Sequence, residues 1–312
     1  WHTEDFLEKM NFLNWKKSIL KIHQIENKKD INSREYRRLA FDEIFAHLLI
    51  LTNNRKKIKK IKKKSKKFEF LNSFKVQKSL SFELTKSQKK VLAEINQDLK
   101  SKNKMFRLVQ GDVGSGKTIV SLLAAANVID SGYQVAFMAP TEILARQHYE
   151  LSKKLFSITN FNIGFISGKT DLKLKKKIYE DLKNKKIDLI IGTHSLFQKK
   201  TIFKKLGFII IDEQHKFGVK QRMDFSKKGG SECDVLLMSA TPIPRTMMLT
   251  IYGDMDISII SEKPLKRKPI ITLSKPEEKL NEIYPLIKKQ IYNGSQVFWV
   301  CPLIEDSSFL DY

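Results

Sequence analysis

Residues 106–118 read Phe-Arg-Leu-Val-Gln-Gly-Asp-Val-Gly-Ser-Gly-Lys-Thr, a short strand-like run entering a glycine-rich loop. Gly111 to Thr118 matches every fixed position of G-x-x-x-x-G-K-[ST]. The pattern leaves the chain few options. A strand must end, the backbone must turn tightly, and a helix over about Ile119–Ser131 must start above the turn. The glycines let backbone N–H groups curl around an anion, and the positive end of the helix faces the same point. Gly111, Asp112, Val113, Gly114, Ser115, Gly116, Lys117 and Thr118 therefore read as a phosphate cradle. In it Lys117 offers a point charge to the β/γ-phosphates, and the Thr118 hydroxyl is a candidate Mg²⁺ ligand.

A second strand end carries the complementary chemistry. Phe208-Ile-Ile-Ile211 is an unbroken apolar run, as in a sheet strand covered on both faces, and Asp212-Glu-Gln-His215 follows. Alone, such an acidic pair also fits a helix cap whose charge suits the dipole. Beside a phosphate loop it gains a sharper meaning. Asp212 becomes a second Mg²⁺ ligand through water, and Glu213 a general base or water-orienting group for attack on the γ-phosphate. The two motifs together specify a nucleoside triphosphatase.

The remaining pattern is an α/β one. A helix is expected over Lys86–Lys100, with Thr85 and Gln88 fitting a capping box. A second reading makes Gln88 an adenine-sensing residue ahead of the phosphate loop, and the two are compatible. Strands follow at Gln134–Ala139, Asn162–Ser167, Asp188–Ile191 and Val235–Met238, with helices from Thr141 to about Phe156 and over Lys173–Lys185. Alternating strands and helices predict a doubly wound parallel sheet with its functional groups at the carboxyl ends of strands. Residues 1–33 read as a helical connector, 34–80 as a basic helical linker that Asn53-Asn54 interrupts, and 81–262 as the nucleotide-binding domain. Beyond the proline-bracketed linker, residues 263–312 begin a second α/β lobe with strands at Ile270–Leu273 and Gln296–Ile304 and a helix over about Glu277–Tyr292.

Fifty-eight Lys and Arg against 34 Asp and Glu leave a net charge of +24, which favours a polyanionic partner. Lysine is abundant throughout, so part of this charge is general usage. Arg55–Lys67 holds ten cations in thirteen residues and fits either a solvated helix face, a disordered tract or a nucleic-acid contact. Cys233 and Cys301 lack metal-like or CxxC spacing, which fits a reducing, cytoplasmic setting. No apolar stretch approaches the ~18 residues of a membrane span, and no signal-peptide pattern opens the chain. A monomer without membrane attachment is expected.

Several segments together resemble the superfamily 2 helicases, and most closely their RecG-type branch-migrating DNA helicases. They are Phe82-Glu-Leu-Thr-x-x-Gln88, Gly111–Thr118, Pro140-Thr-Glu-Ile-Leu-Ala-Arg-Gln-His148, Gly192-Thr-His-Ser-Leu196, Asp212-Glu-Gln-His215 with Phe217-Gly-Val219, and Ser239-Ala-Thr-Pro-Ile-Pro-Arg245. Lys216 departs from the arginine common in that family and lacks its bidentate fork. The resemblance implies RecA-like lobes, ATP and Mg²⁺ as substrate and cofactor, and a forked or branched DNA partner in recombination and repair. It implies catalytic roles for Lys117, Asp212, Glu213 and His215, and DNA-backbone contacts at Thr141, Arg146, Thr193 and His194. Coupling between the two sites would fall to Gln214, His215, Ser239 and Thr241. It also implies a fragment: residues before 33 correspond to the end of a wedge region, and the arginine finger lies beyond residue 312. Two readings remain beside the DNA motor, namely an RNA-directed helicase and an ATP- and DNA-binding module without turnover.

Overall fold

The computed structural model describes residues 2–24, 32–198, 200–213, 230, 232–241, 255–262 and 271–300. Contacts divide the chain into two compact units, Trp1–Leu265 and Lys266–Tyr312. The first unit begins with helices α1 (Glu4–Lys9), α2 (Trp15–Ile22), α3 (Arg34–Lys60), α4 (Leu71–Ser79) and α5 (Lys86–Lys100). There follow β1 (Phe106–Gly111), α6 (Lys117–Asp130), β2 (Gln134–Met138), α7 (Glu142–Leu155), β3 (Ile163–Ile166), α8 (Leu172–Lys183) and β4 (Leu189–Gly192). Strands β5 (Leu206–Ile211), β6 (Asp234–Ser239) and β7 (Asp256–Ile260) complete the sheet.

The sheet has seven strands in the order β3-β4-β2-β5-β6-β1-β7, and every pairing is parallel. Burial follows that order. The five inner strands are buried along their whole length, whereas the edge strands β3 and β7 are only partly covered. Unbroken apolar runs such as Phe208–Ile211 require cover on both faces, and alternate residues feed the two cores. Val109, Phe137, Ile191, Phe208 and Ile210 pack with α5, α6 and α7 on one face. Leu108, Ala136, Ile190, Ile209 and Ile211 pack with Ile178 and Leu182 of α8 on the other. The expected doubly wound α/β sheet is present.

Helix α5 shows why its limits were legible. Thr85 accepts from the Gln88 backbone N–H while the Gln88 side chain accepts from Thr85 N–H, closing both halves of the capping box. Thr85→Ala should cost about 1 kcal/mol in urea unfolding; an unchanged midpoint would show that the cap adds nothing here.

Four features depart from the sequence expectation. Helix α3 runs without a break through Asn53-Asn54, since asparagine lowers helix propensity but does not interrupt a helix. Helix α4 and strand β7 were not expected. The apolar stripe of α4 is short, and β7 mixes polar and apolar residues because it lies at a sheet edge. The basic run is neither a uniform solvated face nor a disordered tract. Its first part lies in α3 and its second crosses the amino edge of the sheet, where Lys62 bridges Asn103 and Lys63 N–H donates to Lys102 O at 2.9 Å. Lys63 and Lys66 are fully buried against Asp234, and Arg55 and Lys59 pair with Asp256. Both carboxylates open their strands, so four of the ten cations tie the linker to the amino ends of β6 and β7.

In the second unit, described over residues 271–300, α9 (Leu280–Tyr292) forms after a 3-10 turn at Glu277–Lys279. Of the two strands expected around it, residues 271–273 and 296–300 have no ladder among the described residues, and residues 270 and 301–304 lie outside them. Strand backbone is stable only where neighbours take its N–H and C=O groups, and propensity alone does not supply them. Among the described residues no helix is long and apolar enough to cross a membrane.

Candidate active site

Parallel pairing brings three strand ends to one edge. Gln110 of β1 lies opposite Ser239 of β6, and Ile211 of β5 lies opposite Leu237 of the same strand. Strand β6 thus separates β1 from β5, so the segment Ser239-Ala-Thr241 sits between the phosphate loop and Asp212-Glu213. The Ser239 and Thr241 hydroxyls are 2.9 Å apart, and Gln110 Nε2 donates to Thr241 O at 3.0 Å. This is the carboxyl edge at which open α/β sheets bind ligands.

The loop itself is held by its backbone. Gly114 and Gly116 adopt φ of 75° and 88°, the left-handed region open to glycine. A Cβ on Gly116 would stand 2.3 Å from Gln88 Nε2 and would have to displace that side chain. Gln88 is buried and donates to Ser115 O at 2.7 Å while closing the capping box, which links helix α5 directly to the loop. The Ser115 backbone N–H donates to Asp112 O at 3.0 Å and Val113 N–H to Asp112 Oδ1 at 2.8 Å. Lys117 is the first residue of α6. Its ammonium donates to Gly111 O at 2.7 Å and Asp112 O at 3.0 Å. Burial lowers the Lys117 pKa, and the carboxylates of Asp212, Glu213 and Asp112 oppose that shift. The acidic pair, about a hundred residues away in sequence, follows β5 at the same sheet edge.

Asp212 is buried, and both of its oxygens are engaged. Oδ1 accepts from Glu213 N–H at 3.0 Å, and Oδ2 lies 2.7 Å from Nε2 of His148. Glu213 has a left-handed φ of 49°, which for a side chain with a Cβ costs on the order of 1 kcal/mol. Gln214 and His215 lie outside the described residues. In the sequence His148 stands out only as the last residue of the Pro140–His148 segment. A signal was available: Ala145, His148, Ser152 and Leu155 form the buried stripe of α7, so an imidazole sits at a core position.

The four residues expected to meet DNA are spread over two neighbouring strand ends. Thr141 is the exposed N-cap of α7 and accepts from Leu144 N–H at 3.3 Å. The Arg146 side chain is 60% exposed, lies 3.4 Å from Glu142, and stacks over the Phe165 ring at 5.0 Å. Thr193 follows β4 and leads into a 3-10 turn at His194–Phe197, with His194 exposed. Since β4 and β2 are adjacent, both sets border one carboxyl edge.

The residues fit a nucleoside triphosphate with Mg²⁺. The Ser115 hydroxyl is buried with no hydrogen-bond partner among the described residues, and Lys117 presents a partly desolvated ammonium at the mouth of a left-handed glycine loop. Oxyanions would satisfy both. Thr118 and Asp212 would offer oxygen ligands of the kind Mg²⁺ prefers.

The DEAD/DEAH box helicase family model matches residues 85–249, more than half of the chain. ATP-dependent DNA helicase RecG of Thermotoga maritima is 45% identical over 274 residues, covering 88% of this chain and 35% of that protein. RecG of Aquifex aeolicus is 42% identical over 322 residues, covering 99% of this chain and 40% of that protein. A solved structure of RecG bound to a three-way DNA junction has a TM-score of 0.81 at 40% identity, covering 97% of this chain and 41% of the other. The chain thus spans about two fifths of the length of its curated relatives. It belongs to the DEAD/DEAH box helicase family, and within that family it resembles RecG.

Proposed function

We propose that this chain forms the ATP-binding motor part of an ATP-dependent DNA helicase that works on branched DNA in recombination and repair. The observation that carries this reading is that the phosphate loop and Asp212-Glu213 follow parallel strands at one sheet edge, in a chain similar over 97% of its length to RecG on a three-way junction. Residues 1–33 are assigned to the end of a wedge region, 34–80 to its linker, 81–262 to the first RecA-like domain and 263–312 to the start of the second. The protein is proposed to act as a monomer in the cytoplasm.

In this reading the loop residues Gly111–Thr118 hold the triphosphate of ATP, with Lys117 leaving its carbonyl partners for the β/γ-phosphates. Gln88 sets the loop through Ser115 and senses the adenine. Mg²⁺, held by Thr118, Asp212 and the phosphates, would neutralise charge building on the leaving oxygen. Glu213 takes the proton of the attacking water or orients it. Thr141, Arg146, Thr193 and His194 grip the DNA backbone. Ser239 and Thr241, with Gln214 and His215, relay the state of the nucleotide to that face.

The reading is tested with the protein at its full natural length. ATP hydrolysis should rise strongly with forked or three-way DNA, less with single-stranded DNA, and little with RNA. Equal stimulation by RNA would replace the DNA motor with an RNA-directed one, and no stimulation would leave only a binding module. In the same protein Arg146→Gln should reduce the slope of log affinity against log salt by about 1, as for one lost phosphate contact. An unchanged slope would remove Arg146 from the DNA face.

A further inference from the structure

Helix α7 reaches the acidic strand end through one side chain. The imidazole of His148 is buried, and its Nε2 lies 2.7 Å from Asp212 Oδ2. A carboxylate oxygen accepts, so Nε2–H is the donor. The ring is held on its other side by Phe137 of β2, with centroids 4.7 Å apart. Phe137 lies opposite Ile210 of β5, two residues before Asp212, so the ring is braced by the strand neighbouring the one that delivers the carboxylate. The second oxygen of Asp212 is fixed by Glu213 N–H. The carboxylate is therefore held at both oxygens by the protein itself.

We propose that His148 is a positioning residue for the metal site: it orients the Asp212 carboxylate so that Mg²⁺ and its water shell find a preset acceptor. This rests on the assignment of Asp212 as a ligand of Mg²⁺–ATP. A donor fixed behind a metal-binding carboxylate removes its rotational freedom, and outer-shell partners of this kind change metal affinity about 10–100-fold when lost. One structural fact separates this from ordinary core packing: His148 lies in the buried stripe with Ala145 and Ser152, yet its polar end is spent on a carboxylate at the candidate catalytic edge.

The test is equilibrium binding of a fluorescent, non-hydrolysable ATP analogue to the full-length protein, titrated with Mg²⁺ and repeated in EDTA. His148→Leu keeps most of the volume and removes the donor; His148→Gln keeps a donor. The Mg²⁺ midpoint should rise about 10–100-fold in His148→Leu, with binding in EDTA unchanged, and His148→Gln should recover most of it. Thermal unfolding of each variant accompanies the titration. If His148→Leu retains the wild-type Mg²⁺ midpoint, or if His148→Gln is as impaired as His148→Leu, the positioning role is wrong. If His148→Leu fails to fold, His148→Gln and His148→Asn decide: wild-type midpoints support the role, and midpoints raised as far as in an Asp212→Asn control overturn it. Failure of the wild-type protein to bind the analogue with Mg²⁺ would instead overturn the nucleotide-site assignment, and this inference with it.

Discussion

Asp234→Asn should destabilise the protein by roughly 3–5 kcal/mol, the usual effect of removing one member of a buried ion pair. The Asp234 side chain is fully buried at the start of β6 and accepts from Lys63 Nζ at 2.7 and 2.6 Å and from Lys66 Nζ at 2.6 Å. It also accepts from Met105 N–H at 2.7 Å, just before β1. Two ammonium groups and one carboxylate are thus enclosed together, with further carbonyl acceptors at Asp98, Leu99 and Glu232. Burial lowers the Lys63 pKa, while Asp234 opposes that shift. Without the carboxylate, two desolvated cations face each other. Lys66→Met behaves differently, because it leaves a balanced Lys63–Asp234 pair. Its expected cost is below about 2 kcal/mol, since trading a buried charge for an apolar side chain is often near neutral. Urea unfolding of both variants measures the asymmetry. Equal losses would mean that Asp234 acts as a hydrogen-bond acceptor for backbone and not as a counter-charge.

Glu213→Gln should lower ATP hydrolysis by about 10²–10⁴-fold while leaving Mg²⁺–nucleotide binding near the wild-type level, if Glu213 moves or orients the water proton. The substitution keeps the shape of the side chain, and the backbone N–H that holds Asp212 Oδ1 is unaffected. The left-handed φ of Glu213 makes this position sensitive to backbone relaxation, so glutamine is preferable to alanine. Single-turnover hydrolysis and analogue binding, measured on one preparation, separate the two effects. Loss of binding with hydrolysis falling in proportion would assign Glu213 to holding the nucleotide and not to the chemistry.

Much of the sheet was readable because local rules and long-range packing agree. Phe208–Ile211 is apolar throughout since it is covered on both faces, and Gly111–Thr118 has a fixed spacing imposed by a left-handed turn. Thr85 and Gln88 closed the box their spacing suggested. What could not be read depends on partners distant in sequence. Lys63 and Lys66 look like any solvated cations until Asp234 is brought to them across 171 and 168 residues. His148 stands in the sequence only as a residue of the Thr141–Phe156 helix until Asp212 is placed beside it, 64 residues on. Strand β7 was missed because an edge strand needs only one covered face, and its sequence shows it.

Strand displacement on a three-way DNA junction, followed with the full-length protein and ATP, tests the motor assignment most directly. Junction processing should require hydrolysable ATP and Mg²⁺, run much faster than on a linear duplex of equal length, and vanish in Lys117→Ala. Equal rates on linear and branched DNA, or processing that survives Lys117→Ala, would contradict it.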